Sequence, residues 1–392
     1  MTTYLDHAAT TPMRPEAFEA MLPWLTTAFG NPSGGHRVAR EARRAVDEAR
    51  DVVAEVLGCQ PGEVVFTSGG TEADNLAIAG AVAARLPVAG RPSGFGPDEA
   101  VGAACSTIEH HAVLHAVEAL GGRQVAVDGD GRLDLEALAA AIGPATAVVS
   151  IMLANNEVGT VQDLAAVAAV TAEGAPGALL HTDAVQAVPW LDVATLAAPA
   201  QLVSVAAHKF GGPQGAGALV VRGGARIEPL LRGGGQERER RSGTHNVAGI
   251  VGMAAALAAT AADREAAARR AARLRDRLVS AVRDGVDGVV ETAAGAPRLP
   301  NIAHLRIAGL ESESLLVLLD DAGVCASAGS SCASGAMDPS HVLAAMGVSR
   351  AEARTAIRLS VGRTTTDTDV DAGAAAVVEA TRRLRAPLRA RV

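Results

Sequence analysis

Lysine is almost missing from this sequence. Of 35 basic side chains in 392 residues, one is lysine, Lys209, and the other 34 are arginine. At exposed positions the two residues are nearly exchangeable, so a coding bias of the source genome can run to completion there. Arginine cannot replace lysine where a neutral, nucleophilic amine is needed, because guanidinium does not deprotonate in proteins. Lys209 is thus either a chance survivor or a working residue, and its neighbours decide which. Aromatic residues make up only 2%, against 49% hydrophobic, 20% charged and 42 glycines. That composition forms a globular core and excludes a disordered or fibrous chain. There is no basic tail or stripe, and the formal net charge is −8. Clustered cations for phosphate neutralisation are therefore lacking, and no direct nucleic-acid partner is expected. No apolar run reaches the roughly 18–20 residues of a membrane span, so no membrane partner is expected either. The opening MTTYLDHAATTP has neither the basic n-region nor the apolar h-region of a signal peptide. Cysteine is sparse: Cys59, Cys105, Cys325 and Cys332. Four in a chain of this length exclude a disulfide scaffold and predict a reducing, cytoplasmic setting with at least one thiol kept for chemistry.

What is present is an alternation of short β-branched runs with helical patterns, the βαβ signal of a mostly parallel sheet. At roughly 150 residues per domain the length predicts two domains, three at most. An amphipathic helix is expected over 36–57, with Val38, Val46, Val53 and Leu57 on one side and Gly58 at its end. Strands read as Glu63–Thr67, Val101–Ser106, Ala147–Leu153, Ala178–Thr182, Leu202–Ala206 and Ala218–Val221. The Ala/Arg-rich stretch from Ile250 to Val282 predicts one long helix bridging to a second domain, which mixes helices with strands around Asn301–Ile307 and Ala356–Leu359. Arg91–Pro97 reads as a loop.

Each of five strands is followed by chemically capable residues. These are Ser68-Gly69-Gly70-Thr71-Glu72, Glu109-His110-His111, Asn155-Asn156-Glu157, Asp183 with Gln186, and His208-Lys209. Ligands of open α/β sheets bind at the carboxyl ends of the strands, so the sole lysine stands where a ligand belongs. A nucleophilic lysine amine points to a Schiff base with a carbonyl, and pyridoxal phosphate is the best known partner. That cofactor needs a carboxylate at its pyridinium nitrogen, which Asp183 can supply. Its phosphate needs backbone N–H groups at a helix N-terminus, which the Gly69-Gly70-Thr71 turn offers, with the Thr71 hydroxyl as an extra donor. His110 is a flat partner for the ring that could also move protons.

A second constellation is the small-residue run Ser327-Ala328-Gly329-Ser330-Ser331-Cys332-Ala333-Ser334-Gly335. With no apolar face to bury, it is expected to be a mobile, exposed loop. A cysteine on such a loop is placed for reaction. An unperturbed thiol is only a few per cent thiolate at neutral pH, so Cys332 needs a base, either His110 or a group on the bound substrate. Asp338-Pro339-Ser340 reads as the cap of the next helix.

End to end, the chain resembles the NifS/IscS family of cysteine desulfurases, the class-V aminotransferase branch of fold-type-I pyridoxal-phosphate enzymes. The resemblance rests on Tyr4-Leu5-Asp6-His7-Ala8-Ala9-Thr10-Thr11-Pro12, Phe66-Thr67-Ser68-Gly69-Gly70-Thr71-Glu72 and Glu109-His110-His111-Ala112-Val113. It continues through Asn155-Asn156-Glu157-Val158-Gly159, Asp183-Ala184-Val185-Gln186 and His208-Lys209-Phe210-Gly211-Gly212-Pro213. It closes on Gly233-Gly234-Gly235-Gln236-Glu237-Arg238, Arg241-Ser242-Gly243-Thr244 and the Cys332 run. The resemblance implies an α/β fold with a large pyridoxal-phosphate-binding domain, 15–260, built on a mostly parallel seven-stranded sheet flanked by helices. Residues 1–14 and 261–392 then form a smaller α+β domain carrying the mobile catalytic loop, about 325–337.

It also implies roles. Lys209 holds the cofactor and takes the substrate α-proton, Asp183 pairs with the pyridinium nitrogen, Gln186 with the ring hydroxyl, and His110 stacks on the ring and shuttles protons. Gly70, Thr71 and His208 hold the phosphate, joined by Thr244 from the other subunit of a homodimer. Arg358 and Asn156 bind the carboxylate of the L-cysteine substrate, and Cys332 accepts its sulfur as a persulfide, releasing L-alanine. The sulfur then goes to an acceptor or scaffold protein, for iron–sulfur cluster assembly or a thiolation pathway. Another class-V enzyme, a selenocysteine lyase or an aminotransferase, is the alternative, and a non-catalytic sulfur carrier a third reading.

Three features depart from the pattern. Ala206-Ala207 stand where relatives often carry Ser-Gly, which removes one phosphate donor. The loop Gly30–His36 is slightly short, which puts a role for Asn31 in doubt. Cys325 could resolve a disulfide with Cys332, although a small filler is the simpler reading, as it is for Cys59 and Cys105. No metal is expected, because His110, His111 and His115 lack the further well-spaced ligands zinc wants. The run Glu237-Arg238-Glu239-Arg240-Arg241 reads either as a solvated charge run or as a dimer-interface loop.

Overall fold

The computed structural model describes residues 2–86, 102–328 and 340–386. Cys332 and the expected loop Arg91–Pro97 lie outside the described residues. In chain order the strands are Thr3–Tyr4 (β1), Val64–Thr67 (β2), Gly102–Ser106 (β3), Arg123–Val125 (β4), Thr146–Ser150 (β5), Leu179–Asp183 (β6), Leu202–Ala206 (β7), Gly217–Val221 (β8), Val289–Glu291 (β9), Ile302–Ile307 (β10), Val324–Cys325 (β11) and Ala356–Ser360 (β12). A seven-stranded sheet has the order β2-β8-β7-β6-β5-β3-β4. Strands β3 to β7 pair in parallel, and β8 alone runs antiparallel to its neighbours β7 and β2. A three-stranded antiparallel sheet, β12-β10-β9, and a parallel pair, β1-β11, make up the rest.

Strands β5, β6, β7 and β8 are almost wholly buried, as expected where helices cover both faces of a parallel sheet. Among the helices that precede them in the chain are α1 (Pro15–Thr26), α2 (Arg37–Leu57), α3 (Gly70–Arg85) and α4 (His111–Ala119). Helix α2 starts where His36 Nδ1 accepts the Ala39 N–H at 3.3 Å and stops at Gly58, whose φ of +63° suits glycine. Its Val46, Val53 and Leu57 are each at most 1% exposed, worth roughly 1.5–3 kcal/mol apiece in burial.

The long helix spans Val247–Gly285 and begins where Asn246 Oδ1 accepts the Gly249 N–H. Its first half joins the core of the large sheet through Ile250, Met253 and Leu257. Its second half, through Leu274, Leu278 and Val282, joins a separate core with Leu5, Leu305, Ile357 and Leu359. Among the described residues it is the one helix long and apolar enough to cross a membrane, yet half of that apolar stretch is buried inside the protein.

The charge run after Gln236 is more than a solvated face. Glu237 is 6% exposed and binds Arg50 through both oxygens, at 2.7 and 2.8 Å. It also accepts the Phe66 N–H at 2.9 Å and pairs with His245 Nε2 at 2.7 Å. Burial alone would raise this carboxyl, but Arg50 and His245 hold it down to about 2. The network offsets a costly backbone, since Glu237, Arg238 and Glu239 have φ values of +51°, +55° and +64°. Because the folded pKa lies below the unfolded one, the stabilisation is complete above about pH 4.5 and is lost as pH falls towards 2, about 3 kcal/mol in all. Glu237→Gln is therefore expected to lower the unfolding midpoint at neutral pH and to flatten its acid limb between pH 5 and 2. A thermal-unfolding series over that range, with parallel curves for both proteins, would refute this.

Candidate functional site

Past the carboxyl ends of β5, β6 and β7, a cavity of about 380 Å³ is lined by Gly70, Thr71, Asp74, His110, Asn156, Asp183, Gln186, His208, Lys209 and Arg358, among others. The structure thus brings together every expected site residue except two. Thr244 is exposed and lies in a separate cleft with Ser68, Arg241 and His245. Cys332 lies outside the described residues.

The N-terminal segment closes one side. Lys209 Nζ donates to the carbonyls of Ala8 and Ala9 at 2.7 and 2.8 Å, and Gln186 Nε2 to Ala8 at 2.6 Å. Lys209 ends the short turn Ala207–Lys209 that follows β7. Asp183 ends β6, and its Oδ1 accepts the Val185 N–H at 2.8 Å. Opposite, α3 points its N-terminus into the cavity. Gly69 has φ +154°, which favours glycine, and a Cβ on Gly70 would stand 3.0 Å from Val185 Cγ2. The bare backbone there leaves helix N–H groups open to the cavity, where an anion would bind.

Charge is tightly rationed here. Burial raises Asp183 to about 6, although the Val185 N–H and the Lys209 charge pull it back. Burial, and then the Lys209 charge, lower both His110 and His208 to about 4, so both rings are neutral near pH 7. His110 caps α4, its Nδ1 accepting the Ala112 N–H at 3.1 Å. In the neutral ring the proton then sits on Nε2, so His110 offers the cavity a donor. That tautomer suits stacking and hydrogen bonding, and it disfavours His110 as the base for a thiol. His208 Nδ1 lies 3.2 Å from Thr10 Oγ1.

Sequence reasoning missed two carboxylates. Asp74, on α3, is 1% exposed; burial and then Asp183 raise it well above the ordinary range. Its Oδ1 has no hydrogen-bond partner among the described residues and lies 3.6 Å from His181 Nε2. The available signal was a charged residue on the Ala73, Leu76, Ala77 face of a helix, where a core residue belongs. Asp6, seen only as part of a motif, binds Arg358 Nη2 at 2.8 Å, while Arg358 Nη1 donates to Asn156 O at 2.8 Å.

This donor set fits pyridoxal phosphate: a single amine, a carboxylate for the ring nitrogen, a side-chain amide beside it and a helix N-terminus for the phosphate. Ala206 borders the cavity and stands 3.5 Å from the Cβ position of Gly70, where it offers no donor. Ala206→Ser is expected to tighten cofactor binding by roughly tenfold, since a hydrogen bond to a charged group is worth about 1.5–3 kcal/mol. Titration of the apoprotein with pyridoxal phosphate measures this; an unchanged dissociation constant means the serine does not reach the phosphate.

A profile of the class-V aminotransferase family matches residues 3–372. An IscS-like cysteine desulfurase of Mycobacterium tuberculosis is 45% identical over 94% of this chain and 93% of its own. A cysteine desulfurase of Cereibacter sphaeroides is 44% identical over 94% and 92%. A solved NifS-like protein superposes with a TM-score of 0.88 at 33% identity, over 98% of this chain and all of the other. The family is pyridoxal-phosphate-dependent, in keeping with the donor set. The chain belongs to the class-V aminotransferase family, among its cysteine desulfurases.

Proposed function

We propose that the protein is a pyridoxal-phosphate-dependent cysteine desulfurase that takes sulfur from L-cysteine onto Cys332 and releases L-alanine. The observation that carries this reading is the placement of the one lysine of the chain in a cavity shared with Asp183, the N-terminus of α3 and Arg358. When bound, the cofactor supplies an electron sink at the substrate α-carbon. Lys209 anchors it and moves the α-proton, Asp183 balances the ring nitrogen, and Gln186 meets the ring hydroxyl. Gly70, Thr71 and His208 hold the phosphate, and His110 covers the ring face with Nε2–H as a donor. Arg358 and Asn156 hold the substrate carboxylate. A bond then forms between Cys332 Sγ and the substrate sulfur as the substrate Cβ–S bond breaks. One L-cysteine and one thiol give one L-alanine and one persulfide, with no external oxidant.

The same reading makes the enzyme a cytoplasmic homodimer. Thr244, exposed and not among the residues lining the cavity of its own chain, reaches the phosphate of the neighbouring subunit, and a sulfur-acceptor or scaffold protein of iron–sulfur cluster assembly or a thiolation pathway receives the persulfide. The core that gathers Leu5, the second half of the long helix and Leu305, Ile357 and Leu359 supports a division into 15–260 and 1–14 with 261–392. Single-turnover alanine release and persulfide formation test the activity. Wild type is expected to form both in equal amounts, and Cys332→Ala to keep the visible cofactor absorption while both products fall to background. Alanine release by Cys332→Ala at the wild-type rate would make the enzyme a lyase instead.

A further inference from the structure

Arg358 is 1% exposed and sits in the middle of β12, yet its guanidinium borders the cavity. Two acceptors hold it, Asn156 O and Asp6 Oδ1, each at 2.8 Å. Its Nε has no hydrogen-bond partner among the described residues. That Nε is buried, but each terminal nitrogen carries two N–H donors and gives only one to Asn156 or Asp6, so part of the fork is left for a ligand. Asp6 is itself fixed. Its second carboxylate oxygen accepts from Ser327 Oγ at 2.9 Å, and its carbonyl from the Tyr4 hydroxyl at 3.1 Å. Its carboxylate is thus held by Ser327 as well as by Arg358, which keeps its charge beside the guanidinium.

A carboxylate docking on Arg358 therefore meets a cation whose charge is already matched. Two carboxylates on one guanidinium repel, and in a site shielded from water that penalty is large. A ligand bringing only an anionic group has nothing to offset it. An amino acid has a second attachment through its amino group, at the cofactor beside Lys209. Selectivity of this kind comes from a repulsive element aimed at the wrong ligand, with no added contact to the right one.

We propose that Asp6 is a specificity-determining residue that discounts simple carboxylates and inorganic anions at Arg358, so that only ligands carrying an amino group as well as a carboxylate are retained. This rests on the assignment of Arg358 to the substrate carboxylate. The test measures competitive inhibition of the holoenzyme by propionate and by sulfate, beside KM for L-cysteine. Asp6→Asn keeps an acceptor for Arg358 and removes the charge. It is expected to lower both inhibition constants about tenfold, equivalent to ~1.4 kcal/mol, while KM shifts less, and Asp6→Glu is expected to restore the wild-type values. Asp6→Ser offers the same neutral acceptor should Asp6→Asn fail to accumulate as a yellow protein. Unchanged inhibition constants, or inhibition constants and KM rising together as they would if Asp6 only oriented Arg358, overturn the proposal. Arg358→Leu separates the two layers: an unchanged KM there removes the Arg358 assignment itself, while alanine and persulfide formation judge the activity independently.

Discussion

Lys209→Arg is expected to fold, to bind pyridoxal phosphate only noncovalently, and to lose alanine release by at least about 10²–10⁴-fold, the range a positioned general base contributes alone. The substitution is chosen because it is the one this chain has accepted everywhere else: 34 of its 35 basic residues are arginine. Guanidinium can still donate to the carbonyls of Ala8 and Ala9, which now hold Nζ at 2.7 and 2.8 Å, so the segment closing the cavity keeps its anchor. It keeps the positive charge beside Asp183, His110 and His208 as well. What it cannot do is deprotonate and attack a carbonyl. Borohydride reduction followed by peptide mass spectrometry reads this directly, with a reduced adduct on residue 209 in wild type and none in the variant. If the variant turns over within about tenfold of wild type, the uniqueness of Lys209 is a genomic accident and the chemistry belongs to another group.

The parts of the fold legible in the sequence are those where burial writes a continuous signal. Leu202–Ala206 reads as a strand because both faces are covered and every residue is apolar or small, and the structure places β7 over those residues. The three-residue β4 was invisible for the opposite reason, since Arg123 and Gln124 are exposed and only Val125 is buried. Lys209, Asp183 and His110 were legible because each stands at or within a few residues of the carboxyl end of a strand, where side chains turn towards a ligand. Asp74 and the Asp6–Arg358 pair were not. Asp74 lies inside a helix, and Asp6 and Arg358 are 352 residues apart, joined only when β12 passes the N-terminal segment. Glu237 misled in the same way: a run of alternating charges looks solvated until Arg50, 187 residues away, is seen to bind it.

Asp183→Asn is expected to weaken pyridoxal phosphate binding by roughly 10²–10³-fold or more, and to remove the acid limb of its pH dependence. Asparagine can still accept the Val185 N–H that Asp183 Oδ1 takes at 2.8 Å, so the turn after β6 survives and the change is one of charge. Removing one partner of a buried ion pair costs about 3–5 kcal/mol, and each 1.4 kcal/mol is tenfold in affinity. Asp74 cannot take over. It lies 3.6 Å from His181 Nε2 on another part of the cavity wall, and burial, then Asp183, raise its carboxyl well above the ordinary range and so disfavour its charge. The sign of the pH effect follows from the ligand-free protein, in which Asp183 titrates at about 6. Above that pH it is ionised and ready to balance a pyridinium nitrogen; below it, a proton must leave before the pair can form. Wild-type affinity is therefore expected to fall as pH drops below about 6, while the affinity of Asp183→Asn, already low, stays level through the same range. Equilibrium titrations of both apoproteins from pH 5 to 8 measure this, and equal affinities with matching pH profiles would show that the carboxylate at the end of β6 does not face the ring nitrogen.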